Sequence, residues 1–227
     1  GNNEQYYLLH AWKDTFNSSL LDKKLLLTSL DMSLNAGHGA VLFKNQPLII
    51  DSFGYALSAV KYGNGKDWWL LISKRQSNCF FRVLIDSNGV NVMPTMTCGG
   101  PEFLLDDLEA SCFSPDGNKF VHIAYQSGST IFDSDRCSGQ LSNPLYLPLP
   151  ILAQEGWGAI GVAISSNNRF LYVSLTNQVY QFDLSDADIL GSIDTVGIYD
   201  NTYEPFATLF GSIQNGPDGK IYIGCGN

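Results

Sequence analysis

Short apolar runs, separated by compact polar turns, fill most of the chain. Residues 112–124 (CFSPDGNKFVHIA) show the pattern, with the polar turn SPDG at residues 114–117 between two apolar runs. Pro presets the backbone at the second position of such a turn, and Asp and Gly tolerate the conformations that follow. The runs are rich in Val, Ile, Phe, Tyr and Leu, and long runs with a helical period are absent. The pattern therefore predicts a chain built almost entirely of β-strands.

The turn-and-strand unit recurs at a nearly constant spacing. Four copies combine a turn rich in Gly, Asn or Asp with an apolar run, at residues 63–73, 114–124, 165–175 and 216–226. The first apolar residues of the four runs are Trp68, Phe120, Phe170 and Ile221. The separations between them are 52, 50 and 51 residues, and two Phe-Asp pairs, at 132–133 and 182–183, also lie 50 residues apart. The chain therefore contains an internal repeat of about 50 residues.

Each repeat holds four predicted strands, which around the SPDG turn are residues 109–113, 119–125, 129–132 and 143–148. Four short antiparallel strands in ~50 residues are the plan of one blade of a β-propeller. Neighbouring blades cover both faces of a blade, so its apolar runs are nearly continuous rather than alternating. We therefore predict an all-β fold, a β-propeller or partial propeller of four-stranded antiparallel blades.

The repeat divides the chain into a single propeller segment of four to five blades. The predicted blades span residues 6–50, 55–98, 108–150, 159–200 and 206–227. The first unit offers three strands and the last unit two, which leaves unpaired strand edges that promote aggregation. Either the two end units pair to close a small ring, or the segment belongs to a longer propeller, which is the expectation here.

Charge and cysteine content limit the partners and the chemistry. Lys and Arg number 13 against 22 Asp and Glu, a formal net charge of −9, so we expect no nucleic-acid partner. No apolar run reaches the ~18 residues of a membrane span, so we expect no spanning segment. The cysteines form no CxxC pair, and disulfides or buried thiols are equal alternatives for Cys79, Cys98, Cys112, Cys137 and Cys225.

Several motifs resemble those of one family, in the same order along nearly the whole chain. They lie at residues 27–49, 57–74, 132–144, 161–189 and 215–224, and include LSAVKYGNGKDWWLLISK and NGPDGKIYIG. They are similar to the secreted β-propeller proteins exported by the bacterial type IX secretion system, which have YVTN- or WD40-like repeats and often carry PKD and C-terminal sorting domains. The resemblance implies a propeller of about seven blades and an extracellular or cell-surface location. It supplies no catalytic residues, and Tyr62 stands where many relatives have a His.

Signatures of known catalytic sites are missing from the sequence. It contains no G-x-S-x-G, HExxH, P-loop or Rossmann glycine motif. Acidic residues cluster at 102–109 and at 183–194, without the ligand spacing of an EF-hand. Solvated loop carboxylates are the first interpretation, and a Ca²⁺ site is the alternative. We therefore assign no catalytic residue and no metal ligand, and we expect no cofactor unless Ca²⁺ binds.

Candidate binding residues lie in predicted loops and at strand ends, where exposed aromatic rings stack on sugars or hold peptides. They are Trp157 in EGWGA, Tyr199 and Tyr203 in YDNTYEPF, and His38 in NAGHGA. His122 is expected to pack in the core or between blades. Trp68 and Trp69 begin one strand, so their rings point to opposite faces, and both are expected to pack between blades.

These features predict a non-enzymatic, secreted or cell-surface propeller that acts as a binding or scaffold module for a protein or glycan partner. Propellers present loops around one end of a central channel, which suits recognition. The alternative is a propeller-type hydrolase or lyase, lactonase-like or glycan-active, with a metal or carboxylates at the channel mouth. Paired carboxylates for glycoside hydrolysis remain open, because sequence does not give their separation in space.

Overall fold

The computed structural model describes residues 4–13, 23–102, 109–124, 128–149, 159–202 and 209–226. These residues form seventeen β-strands in five separate antiparallel sheets. A 3₁₀ helix at Asn35–Gly37 is the one helical element in these ranges. The described part of the chain has no helix with the length and apolar character that a bilayer crossing requires.

The strands of every sheet follow one another in chain order. The first sheet has three strands: β1 (Gln5–Lys13), β2 (Lys23–Asp31) and β3 (Ala40–Asp51). The second sheet has four: β4 (Phe53–Lys61), β5 (Trp68–Lys74), β6 (Cys79–Asp86) and β7 (Gly89–Thr97). The third sheet has four: β8 (Glu109–Phe113), β9 (Lys119–Ala124), β10 (Gly128–Asp135) and β11 (Gln140–Leu147). The fourth sheet has four: β12 (Ala159–Ile164), β13 (Phe170–Leu175), β14 (Gln178–Asp183) and β15 (Asp194–Ile198). The fifth sheet has two: β16 (Leu209–Asn215) and β17 (Ile221–Gly226).

The repeated four-stranded antiparallel sheet confirms the predicted fold class. The four strands predicted around the SPDG turn all occur, with ends that differ by about three residues at most. The three-stranded first sheet and the two-stranded fifth sheet form no ladder with each other through any described residue. The sheets therefore make an open propeller arrangement in this structure.

The first strands of successive sheets lie side by side, β4 beside β8, β8 beside β12 and β12 beside β16. We call these four the inner strands, because a propeller lines its central channel in this way. Hydrogen bonds join the neighbours: Ser58 Oγ donates to the Ser111 carbonyl at 2.9 Å, and Asn215 Nδ2 donates to the Ile164 carbonyl at 2.9 Å. The chain passes from one sheet to the next at the end of the propeller where the inner strands start, which we call the connecting end. The opposite end, where the inner strands finish in turns, is the turn end.

Apolar side chains fill the spaces between consecutive sheets. One cluster, with Leu25, Ile49, Phe53 and Ile72, joins the first sheet to the second. A second joins the second sheet to the third around Phe80, Phe120 and Phe132. A third cluster, with Val121, Ile123, Val162 and Leu171, joins the third sheet to the fourth. The apolar runs of the second and third sheets are thus packed on both faces, which explains their weak alternation in the sequence.

The SPDG turn of residues 114–117 is held by its own side chains. Asp116 accepts hydrogen bonds from the Ser114 hydroxyl at 2.6 Å, and from the backbone and side-chain nitrogens of Asn118 at 3.0 Å each. Gly117 has a φ of +74°, and a Cβ there would come 2.7 Å from Val60 Cγ2 and 2.5 Å from Arg136 Cδ. Glycine is therefore required both by the backbone conformation and by the neighbouring side chains.

Asp116→Ala is expected to lower the free energy of unfolding by about 1–2 kcal/mol, because three hydrogen bonds to the carboxylate are lost. Asp116→Asn keeps one acceptor oxygen and should lose less. Urea titration of both variants measures the effect, and a loss below about 0.5 kcal/mol in the alanine variant would remove the turn from the stabilising contacts.

All five cysteines of the chain are free thiols in this structure. Cys112 of β8 packs against the apolar cluster between the third and fourth sheets. Burial raises the pKa of its thiol to about 12, and burial likewise raises the pKa of Cys98 to about 12. Both therefore remain protonated and act as small apolar side chains at neutral pH.

Candidate functional site

A buried set of charged and polar side chains lies between the second and third sheets. Glu109, the first residue of β8, accepts a hydrogen bond at Oε2 from the Ser73 hydroxyl at 2.6 Å. Its Oε1 lies 3.1 Å from Arg75 Nη1, and its Oε2 lies 3.4 Å from His122 Nε2. The Glu109 and Arg75 side chains are fully buried, and the His122 side chain is 3% exposed. We call these four residues the Glu109 cluster.

Local backbone features bring the Glu109 cluster together. Gly54 of β4 faces it, and a Cβ at this position would come 1.7 Å from Glu109 Oε2 and 2.1 Å from Ser73 Oγ. The absence of a side chain on Gly54 therefore makes room for the carboxylate. The His122 ring on β9 stands edge-on to the Phe80 ring, with 5.5 Å between the ring centres. His122 thus packs between blades, as the sequence predicted.

The Glu109 carboxylate is ionised and enclosed. Burial alone would raise the pKa of Glu109, but hydrogen bonding and charge from His122, with Ser73 and Arg75, outweigh it and lower the pKa below its usual value. A general acid needs a raised pKa and contact with a substrate. The Glu109 cluster offers neither, so its geometry fits an internal ion pair that joins two blades.

Glu109 is also the one acidic residue on the described inner strands. Apart from it and Lys61, these strands carry apolar, aromatic, hydroxyl, amide and other small side chains. Hydrolysis of a glycoside by the usual route needs two carboxylates about 5–10 Å apart. The described inner strands do not supply such a pair.

Sequence reasoning did not find the Glu109 cluster, although one signal was present. In the strand register Glu109 occupies the position of Leu57 in the second sheet, so a charge replaces an apolar side chain of the repeat. Arg75 and Ser73 carried no such signal. They belong to a different sheet, and their approach to Glu109 depends on how the sheets pack.

The two tryptophans of the second sheet point to opposite faces, as strand alternation predicted. Trp69 is 3% exposed and packs towards the third sheet, where its Nε1 donates to the Arg136 carbonyl at 3.1 Å. Trp68 is 39% exposed, so the expectation that both rings are buried between blades was wrong for this one. Trp68 occupies the position that Phe120 has in the third sheet, and it lines a cavity with Gln5 and Tyr7 of the first sheet.

The predicted binding residues lie in different parts of the chain. His38 is exposed and follows the 3₁₀ helix in the connection between β2 and β3. Tyr199 follows β15 and is 8% exposed, and its hydroxyl donates to the Thr202 carbonyl at 2.6 Å. Trp157 and Tyr203 lie outside the described residues. The structure does not bring His38 and Tyr199 together in one site.

The acidic segment at residues 183–194 uses its carboxylates within the protein. Asp183 pairs with Arg169 at 2.7 Å, and Asp188 accepts a hydrogen bond from the Gly191 nitrogen at 2.9 Å. In the other acidic segment, Asp106 and Asp107 lie outside the described residues, and Glu109 belongs to its buried cluster. In the ranges that the structure describes, no three His, Cys, Asp or Glu side chains are grouped as metal ligands.

Comparison with solved structures agrees with the propeller fold. The chain is similar to a 6-phosphogluconolactonase candidate from Bacteroides fragilis, at 14% identity over 99% of this chain and 62% of that one, with a TM-score of 0.56. It is also similar to the Dos1 propeller, at 10% identity over 96% of this chain and 49% of that one, with a TM-score of 0.56. The Cps50 (Swd1) β-propeller domain of Myceliophteria thermophila matches at 11% identity over 96% of this chain and 65% of that one, with a TM-score of 0.52.

These likenesses define the class of the protein as a β-propeller. The identities are low, so the likenesses establish the fold alone. The chain spans only part of each of these three structures, 62% of the Bacteroides fragilis protein for example. No family model matches the sequence, and no curated protein matches it.

Proposed function

We propose that the chain is a non-catalytic binding and scaffold module of a secreted or cell-surface propeller, which recognises a glycan or a protein. The observation that carries this proposal is the burial of the Glu109 carboxylate in an ion pair. It is the one acidic side chain on the described inner strands, and it is buried against Arg75. A row of packed blades with sealed internal charges suits the presentation of a binding surface.

The proposed location rests on the resemblance to type IX secretion cargo. The strongly acidic chain is consistent with a surface that stays soluble and avoids polyanions. Fractionation of the producing bacterium, with detection of the chain in the medium or on intact cells, tests this part. Detection in the cytoplasm alone would contradict it.

Binding and turnover are separated by two measurements on the 227-residue chain. The labelled chain is applied to an array of bacterial and plant glycans and to immobilised surface proteins, and retention of a defined ligand is expected. The same preparation is incubated with gluconolactone and 6-phosphogluconolactone, because of the likeness to the Bacteroides fragilis structure. We expect no release of acid above the uncatalysed rate, and hydrolysis above that rate would overturn the non-catalytic proposal.

A further inference from the structure

An apolar groove of about 660 Å³ opens between the fourth and fifth sheets. The fourth sheet lines it with Tyr172, Val179 and Val196, on β13, β14 and β15. The second strand of the fifth sheet, β17, lines the other side with Ile221 and Ile223. Val196 is 49% exposed and Ile223 is 36% exposed, so the groove presents apolar side chains to solvent. We call it the fifth-sheet groove.

The open edge of β17 borders the fifth-sheet groove. One edge of this strand pairs with β16, and the other forms no ladder with any residue that the structure describes. In the second, third and fourth sheets the equivalent edge of the second strand pairs with a third strand, β6, β10 or β14. An open edge presents unpaired N–H and C=O groups, which are a template for another extended segment. An apolar surface and a row of backbone hydrogen-bonding groups therefore lie side by side.

The internal repeat indicates which side chains fit the fifth-sheet groove. In the strand register Ile221 takes the position of Phe120 in the third sheet and of Leu171 in the fourth. The third-strand residues opposite these two are Phe132 and Phe182. Both phenylalanines are fully buried, each in the cluster that joins its sheet to the preceding one. A third strand beside β17 is thus expected to place a large apolar side chain opposite Ile221.

A second apolar position follows from the same register. Ile223 lies two residues further along β17, on the same face of the strand. At the equivalent place the third strands carry Val83, Thr130 and Tyr180, and all three side chains are buried. The segment that fits the groove therefore has two large side chains separated by one residue, in an extended backbone.

A second copy of the chain does not fit as the donor of this segment through its own β17. Antiparallel pairing of two β17 edges would relate the copies by a two-fold axis and place the same face of both fifth sheets on one side. In each copy the fourth sheet packs on that face. The fourth sheet of the second copy would then occupy the space that β14 and β15 fill. The groove instead has room for a single extended segment.

We propose that the fifth-sheet groove binds an extended segment of a protein partner, which pairs antiparallel with β17 as a third strand. Main-chain hydrogen bonds to the open edge supply affinity, and two side chains opposite Ile223 and Ile221 supply specificity. The six residues of β17, Ile221–Gly226, set the length of the ladder. This assignment rests on the proposed function and names the kind of partner, a protein with an exposed extended segment.

A labelled peptide with the sequence of residues 177–184, NQVYQFDL, tests the proposal by fluorescence anisotropy. The peptide carries Tyr180 and Phe182, which occupy the two third-strand positions in the fourth sheet. Saturable binding to the 227-residue chain is expected. Replacement of both aromatic residues of the peptide by Ser should weaken binding by at least roughly tenfold, because the apolar contacts are lost.

N-methylated peptides test the ladder separately from the apolar contacts. Alternate peptide nitrogens of an extended segment point to opposite edges, so methylation of one alternate set blocks pairing with β17 and methylation of the other set does not. One methylated peptide should bind at least roughly tenfold more weakly than the parent, and the other should retain its affinity within about threefold.

Matched substitutions in the protein locate the binding surface. Val196→Asp places a carboxylate in the apolar groove and should weaken binding of the peptide by at least roughly tenfold. Val92→Asp is the control, because Val92 also lies on the fourth strand of its sheet, is 43% exposed and lies outside the groove. It should bind the peptide within about twofold of wild type. The urea midpoint of each variant shows that it is folded.

Four results would overturn the proposal: no saturable binding, equal binding of the serine peptide, equal binding of both methylated peptides, or unchanged binding in folded Val196→Asp. A dimer in light scattering that Val196→Asp dissociates would assign the groove to a second copy. A longer chain from the same reading frame that no longer binds the peptide would assign it to a strand of the same polypeptide. Either result would overturn the assignment to a partner.

Failure of this inference and failure of the proposed function give different results. Retention of a glycan on the array, with no affinity for the peptide, would overturn this inference and leave the proposed function standing. Hydrolysis of the lactones would contradict the proposed function and would leave the peptide titration to be judged on its own result.

Discussion

Glu109→Ala is expected to lower the free energy of unfolding by about 3–5 kcal/mol. The substitution removes the carboxylate that lies 3.1 Å from the fully buried guanidinium of Arg75. Loss of one partner of a buried pair is costly, because the remaining charge stays in a medium of low polarity. It also removes the acceptor of the Ser73 hydroxyl, whose bond measures 2.6 Å. Equilibrium unfolding in urea measures the loss, and the m-value shows whether the transition keeps its two-state form.

An arginine–carboxylate pair on the surface provides the control for Glu109→Ala. Arg169 lies 2.7 Å from Asp183, and its side chain is 54% exposed. Because solvent screens such a pair, Arg169→Ala should leave the urea midpoint nearly unchanged. If Glu109→Ala and Arg169→Ala moved the midpoint by similar small amounts, the Glu109 cluster would not stabilise the contact between the second and third sheets.

The pH dependence of stability gives an independent measurement of the Glu109 carboxylate. Its pKa is lowered in the folded protein, so the unfolded chain binds the proton more readily. The stabilisation is therefore complete above the unfolded-state pKa of about 4.3 and is lost as the pH falls through the lower folded value. Glu109→Gln lacks this contribution, so its unfolding free energy should fall less steeply than that of wild type below about pH 4.3. Parallel acid-side curves for the two proteins would contradict the lowered pKa.

The spacing of turns and apolar runs was sufficient to predict the fold of this chain. Each turn anchors a hairpin locally, and the period near 50 residues assigns the hairpins to successive sheets. Local chemistry at residues 114–117 predicted the turn that the structure shows, and the structure adds the hydrogen bonds with which Asp116 holds it. The three strands of the first sheet and the two strands of the fifth sheet were predicted in the same way, from the number of apolar runs at each end of the chain.

Contacts between sheets could not be predicted in the same way, because they depend on packing and not on local pattern. The turns at 114–118 and 165–169 have the same length, but the segment that joins the second and third strands is one residue shorter in the fourth sheet than in the third. Phe120 pairs with Phe132 across its sheet, whereas Leu171, and not Phe170, pairs with Phe182. Phe170 is accordingly half-buried and Leu171 fully buried, although the sequence aligned Phe170 with Phe120. The Glu109 cluster combines residues of two sheets and escaped prediction for the same reason.

Phe120→Ala is expected to cost about 3–5 kcal/mol of unfolding free energy, because it opens a cavity where two blades meet. Phe120 is 1% exposed, and its ring lies 5.4 Å from that of Phe80 on the second sheet and 4.8 Å from that of Phe113. The contact with Phe80 is edge-on, which adds an aromatic term to the loss of buried area.

Phe170→Ala is the matched control for Phe120→Ala, because it deletes the same side chain from the equivalent turn of the fourth sheet. Phe170 is half-buried, with the Arg169 guanidinium 4.9 Å from its ring centre, so this variant should lose much less stability. Urea titration of both variants at one pH ranks the two positions. Equal losses would mean that the 50-residue repeat, rather than the packing of one blade on the next, decides which aromatic residues form the core. A large loss for Phe120 with a small one for Phe170 would instead identify the contact between the second and third sheets as a main source of the stability of the chain.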